Sequence, residues 1–156
     1  MTNTFLILKT LHILSATILF GTGIGIAFFM FRSRFTDNVN EKLYAARNTV
    51  LADYLFTLPA GIIQPLSGFA LIYVAGYSWT DFWLIATYGI YIVAGLCWLP
   101  VVWIQIQLKN MLADSIASGT QLPDRYHQLL NIWFWLGWPA FIGLVAVFYL
   151  MVAKPV

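Results

Sequence analysis

Four long apolar runs, each almost free of charge, limit this chain more than anything else in its sequence. The first, Phe5 to Phe31, contains no acid and one base, Lys9. At about 1.5 Å per residue it makes a helix of roughly 40 Å, enough to cross a hydrocarbon core of about 30 Å with some tilt. The second runs from about Tyr54 to Tyr77, the third from Phe82 to about Leu108, and the fourth from about Leu129 to Val152. Backbone groups in lipid must be bonded within their own segment, so each run is predicted to be helical. The expected fold is all-α, an antiparallel bundle of four transmembrane helices forming one domain over residues 1–156. Composition agrees: 61% of residues are hydrophobic and 9% charged, more apolar surface than a soluble domain of this size needs. A cleaved signal peptide does not fit, because the first run is about twice too long for one and is followed by Arg32 and Arg34.

Between the first two runs lies the most charged stretch, RSRFTDNVNEKLYAARN. Asn38 with Glu41 three residues on resembles a capping box, so a helix is predicted to start there and continue directly into the second span. Pro59 and Pro65 lie within it and are expected to kink it, since each removes a backbone donor. A short turn from Gly76 to Asp81 follows, with Tyr77 and Trp79 suited to the membrane–water boundary. The third span contains Pro100 and ends in Gln105, Gln107, Lys109 and Asn110; ADSIASGTQLPD is then predicted to be a loop. Pro123 is expected to open the fourth helix, which is rich in aromatics, contains Pro139 and ends at Lys154-Pro155.

Of the eight bases, Arg32, Arg34, Lys42, Arg47, Lys109 and Arg125 flank the two longer loops, and only Lys9 and Lys154 fall near the opposite side. The positive-inside rule then places both loops in the cytoplasm and both termini outside, in the cell inner membrane. A net charge of +2 gives no reason to expect nucleic acid as a partner. The lipid bilayer is the expected partner, and homo-oligomerisation is left open. Cys97 is the only cysteine and reads as a small packing residue.

Few polar residues lie deep in the spans. The midplane falls near residues 18–19, 64–65, 95 and 140–141, which puts Gln64 close to the bilayer centre and His12 about 10 Å outward of it. Tyr88, Tyr91 and Tyr149 belong to the same half as His12. At 100° per residue, Lys9, His12, Ser15, Ala16, Leu19 and Gly23 share one face of the first helix. Thr10, Thr17, Gly21 and Gly25 lie on roughly the opposite face, with a small-xxx-small spacing that allows close helix approach. The first helix is therefore expected to be packed between neighbours. The GTGIG string lacks the strand and spacing of a nucleotide-binding loop, and no catalytic triad or Cys/His metal cluster is visible.

Two readings of His12 follow. It is an imidazole bonded to a Ser, Tyr or Gln on a neighbouring helix, or an intramembrane ligand or proton-transfer group. Neutral imidazole binds haem iron or copper well, which makes His12 the candidate metal ligand, with Ser15 and Gln64 beside it in the cofactor site. His127 starts the fourth helix at the other end, roughly 20 Å or more away, so a bis-histidine haem within one chain is not expected. Pro65 also removes the amide that would bond the carbonyl of Gly61, leaving that carbonyl free beside Gln64.

The segments LKTLHILSATILFGTG, FTLPAGIIQPLSG and RYHQLLNIWFWLGWPAF, with the MVAKP tail, resemble the predicted integral membrane family known as domain of unknown function 2269. That family is distantly similar to the copper-resistance-D-like group, including the HemJ-type protoporphyrinogen oxidases. Their first helix carries a K-x-L-H arrangement like Lys9, Leu11 and His12 here, and the resemblance implies a role for that histidine in haem binding. Those proteins use a lysine on a later span; this chain has none in its second or third. The leading expectation is a membrane protein of redox or haem-related function, with His12 as axial ligand of haem b. Whether it is an enzyme stays open. The alternatives are a transport or metal-handling component, with Gln64, the Gly61 carbonyl and His12 lining a pathway, and a non-catalytic membrane subunit.

Overall fold

The computed structural model describes residues 2–155. It contains helices α1 (Thr2–Arg32), α2 (Val39–Ala52), α3 (Leu58–Ala75), α4 (Phe82–Ser118) and α5 (Asp124–Ala153). α2 and α3 are joined without a break by a π-helical turn, Asp53–Thr57, so that they form one rod. Among the described residues there are thus four helical rods long and apolar enough to cross a membrane, as the four apolar runs predicted. One end of the bundle carries the connections around residues 33–38 and 119–123. The other carries the start of α1, the end of α5 and the short turn after Gly76, whose left-handed φ of 72° ends α3.

The rod from Val39 begins where the capping box placed it. The Asn38 side chain accepts from the Asn40 amide at 3.0 Å, and Glu41 reaches back to Asn38 Nδ2 at 3.4 Å. From Asp53 the helix widens just before Pro59, and the Leu58 amide bonds to the carbonyl of Asp53, five residues back. Pro59 has no N–H for the carbonyl one turn before it, and its ring crowds that position; a π turn relieves both problems.

The third rod departs from expectation. The stretch predicted to be a loop is helical as far as Ser118, and the helix stops at Gly119, whose φ of 64° is left-handed. Leu108 and Leu112 just before this segment and Ser115 within it recur at helical spacing and are buried, so the buried face of α4 continues into the polar-looking stretch. α5 likewise starts at Asp124, earlier than the apolar run alone suggested, with Pro123 standing just before the first turn.

The tightest core lies at the loop end. Met30, Ala46, Leu108, Leu112, Tyr126 and Trp133 pack there from four of the helices. α2, the end of α4 and the start of α5 extend this core beyond the most apolar stretches. At the terminal end, a smaller cluster of Ile72, Trp83 and Leu84 is supplemented by Lys154, whose ammonium lies 4.3 Å from the Tyr77 ring centroid and 5.5 Å from that of Trp83. α1 lies mainly along α3, and α4 mainly along α5. Phe20 bridges the pairs, stacking on Phe141 at 5.5 Å and meeting Phe148 edge-on at 5.2 Å.

α1 is packed on one face only. His12 and Ser15 turn towards α3. Alanine side chains placed at Gly21 or Gly25 would meet nothing within 4 Å. The expectation that both faces are covered within one chain is therefore not met. Small residues permit close approach without compelling it.

Candidate functional site

His12 sits on the inward face of α1, and the elements that hold it come from α3. Its Nδ1 lies 2.9 Å from Ser67 Oγ, and its Nε2 lies 3.1 Å from Gln64 Nε2. The Oε1 of Gln64 accepts from the hydroxyl of Ser15, which is one turn along α1 and 4% exposed. The three residues picked from the sequence thus meet, joined by a fourth, Ser67. Gln64, Ser67 and Gly68 fall at positions i, i+3 and i+4 and share a face of α3. Gly68 has a specific use: a Cβ there would lie 3.2 Å from His12 Cε1, so the imidazole passes close over bare backbone.

The bonds fix where the protons are. Ser67 Oγ lies 2.7 Å from the Ile63 carbonyl and donates to it, the usual back-bond of a helical serine. Its lone pair is then left for His12, so Nδ1 carries the imidazole proton and donates to Ser67. An amide nitrogen can only donate, so His12 Nε2 is the acceptor of the Gln64 N–H. The chain of donation runs from Ser15 to Gln64 to His12 to Ser67 to the α3 backbone. Every member is satisfied, and three of the links tie α1 to α3. Interhelical bonds of this kind average about 0.6 kcal/mol each, so the cluster contributes about 2 kcal/mol to the pairing.

The carbonyl of Gly61 is not free, contrary to expectation. The hydroxyl of Tyr91, reaching across from α4, donates to it at 2.7 Å. A tyrosine thereby replaces the amide that Pro65 lacks. Nothing in the sequence shows that the Tyr91 hydroxyl faces this carbonyl.

The other candidates lie elsewhere. His127 is exposed at the start of α5, its ring edge-on to Tyr126 at 5.4 Å, at the opposite end of the bundle from His12. Cys97 is a half-buried free thiol. Among the described residues, no three of His, Cys, Asp or Glu gather closely enough to hold a metal ion. A cavity of about 680 Å³ is an open groove at the loop end bordered by Phe29, Arg32, Glu41, Tyr44 and Asn48, and it does not include His12.

Four rods of membrane-spanning length, tied together by buried polar side chains, define an integral membrane protein. The chain belongs to the family described as predicted integral membrane protein (DUF2269), whose model matches residues 6–155. No curated protein and no solved structure matches it.

Proposed function

We propose that this is a haem-binding, redox-related protein of the inner membrane, with both termini outside the cytoplasm and His12 Nε2 as the iron ligand. The observation that carries this reading is the pair of hydrogen bonds made by the two ring nitrogens. Metal-ligating histidines commonly anchor one ring N–H on a protein acceptor, which orients the imidazole and presents the other nitrogen's lone pair. His12 has that arrangement, with Ser67 at Nδ1 and the lone pair at Nε2 covered by one neutral amide. The Gln64 side chain would have to turn aside for a metal to bind, exchanging one hydrogen bond for a coordination bond. With no acidic or thiol side chains gathered at the site, a metal must bring its other ligands with it, as an iron porphyrin does. The similarity of Lys9, Leu11 and His12 to the first helix of the HemJ-type proteins supports the same choice. Bound there, haem would supply one-electron chemistry; Ser67 orients its ligand, and Gln64, held by Ser15, covers the ligating nitrogen until it turns aside.

The test is the absorption spectrum of the detergent-purified protein after addition of haem. The wild type is expected to show a Soret band and His12→Ala none. Gln64→Leu should bind haem as well as or better than the wild type, because the amide no longer competes for Nε2. A wild type that stays colourless, or a His12→Ala variant that takes up haem equally, overturns the reading and leaves the cluster as an interhelical fastening.

A further inference from the structure

A second buried polar cluster lies towards the loop end, built around the π turn and separate from His12. Asp53 opens that turn and is 2% exposed. Asp37, Glu41, Asp114 and Asp124 are all exposed and Asp81 half-buried, so Asp53 is the one acid taken fully inside. Its Oδ1 accepts from the Trp98 indole at 3.4 Å. Thr57 from its own helix and Gln105 from α4 face the same carboxyl.

The bonding around it is incomplete. Among the described residues, six buried side-chain atoms have no hydrogen-bond partner, and three of them gather here: Asp53 Oδ2, Thr57 Oγ1 and Gln105 Oε1. Neither Asp53 oxygen bonds to a Lys, Arg or His. α1 and α2 also pack against the π turn, but no charged group from them faces the carboxyl. Arg47, the nearest base before it on its own rod, is exposed. An unpaired carboxylate in such a place is costly, and its Oδ2 accepts no hydrogen bond. One added proton changes both facts. It removes the charge and turns Oδ2 into a donor that can bond Gln105 Oε1 or Thr57 Oγ1, so a single atom satisfies two of the three orphans.

We propose that Asp53 is a proton-binding site: a neutral carboxylic acid held among Thr57, Trp98 and Gln105 that exchanges its proton with water at the loop end of the bundle. Loading makes one O–H bond with a proton delivered by water, unloading returns it by the same route, and no electrons move. The π turn holds the carboxyl there, and such widenings often mark functional positions in helices. Intramembrane carboxyls that carry protons are a recurring device of membrane proteins. The site goes beyond the haem reading and does not depend on it, since it shares no residue with the His12 cluster.

Infrared spectroscopy of the full chain in liposomes near neutral pH tests this. A protonated carboxylic acid C=O band is expected, because exposed acids are ionised there. It should shift when aspartate carboxyls are labelled with carbon-13 and again on transfer to deuterium oxide, vanish in Asp53→Asn, and persist in Glu41→Gln. If Asp53→Asn does not fold, the label on the wild type still decides. The proposal fails if no such band exists, if the band belongs to glutamate, or if it does not shift in deuterium oxide. It also fails if sodium replacing a bulky organic cation at constant pH abolishes the band, since the occupant is then an alkali ion.

Discussion

Tyr91→Phe removes one oxygen atom from α4 and leaves the ring in place. The hydroxyl lost is the one that donates to the Gly61 carbonyl at 2.7 Å. A hydrogen bond of this type contributes about 1 kcal/mol net, and a buried carbonyl left without a partner costs about 1–3 kcal/mol. Measured interhelical bonds in membranes fall at about 0.6 kcal/mol on average and reach about 1.7. The expected loss is therefore about 1–2 kcal/mol, read as a lower unfolding midpoint when the detergent-solubilised protein is titrated with a denaturing detergent and followed by circular dichroism. The structure also says why the tyrosine is needed: residue 65 is proline and cannot supply the N–H. In a Pro65→Ala background the helix regains that donor, and removing the Tyr91 hydroxyl should then cost less than about 0.5 kcal/mol. Equal costs in the two backgrounds would refute the idea that the tyrosine stands in for the missing amide.

Three further substitutions separate packed from open helix surface. Gly68→Ala places a Cβ 3.2 Å from His12 Cε1 and should displace the imidazole, costing about 1 kcal/mol despite the better helix propensity of alanine. By contrast, Gly21→Ala and Gly25→Ala meet nothing and should be neutral or stabilise by up to about 1 kcal/mol in the same titration; a loss there would mean that something covers this face of α1. Leu112→Ala empties a fully buried position in the loop-end core and should cost about 2–5 kcal/mol while leaving any haem spectrum unchanged. A loss below about 1 kcal/mol would show that this core is not close-packed.

The candidate site was half legible. His12, Ser15 and Gln64 stood out because a polar side chain inside an apolar run is costly and therefore rare. Ser67 and Tyr91 did not, because a serine or tyrosine in a span is common and signals no particular partner. Nothing in the sequence marks Asp53 as buried, and its enclosure shows only when Trp98 and Gln105 of α4 are set against it. The helical end of α4 was hidden by its polar composition, its three buried positions having no meaning until α2 and α5 supply the surface they pack on.

What this sequence determined unaided is the number of spans, their helical state and the starts and stops marked by Asn38, Gly76 and Lys154. Those are local matters: in lipid each segment must satisfy its own backbone, and caps act within a turn. What only the tertiary structure decided is which face of each helix meets which neighbour. That choice left Gly21 and Gly25 bare, brought Tyr91 to Gly61, and enclosed Asp53. A span apolar all the way round carries no rotational mark of its own, so its angle and depth are set by the few interhelical bonds that form when the rods meet.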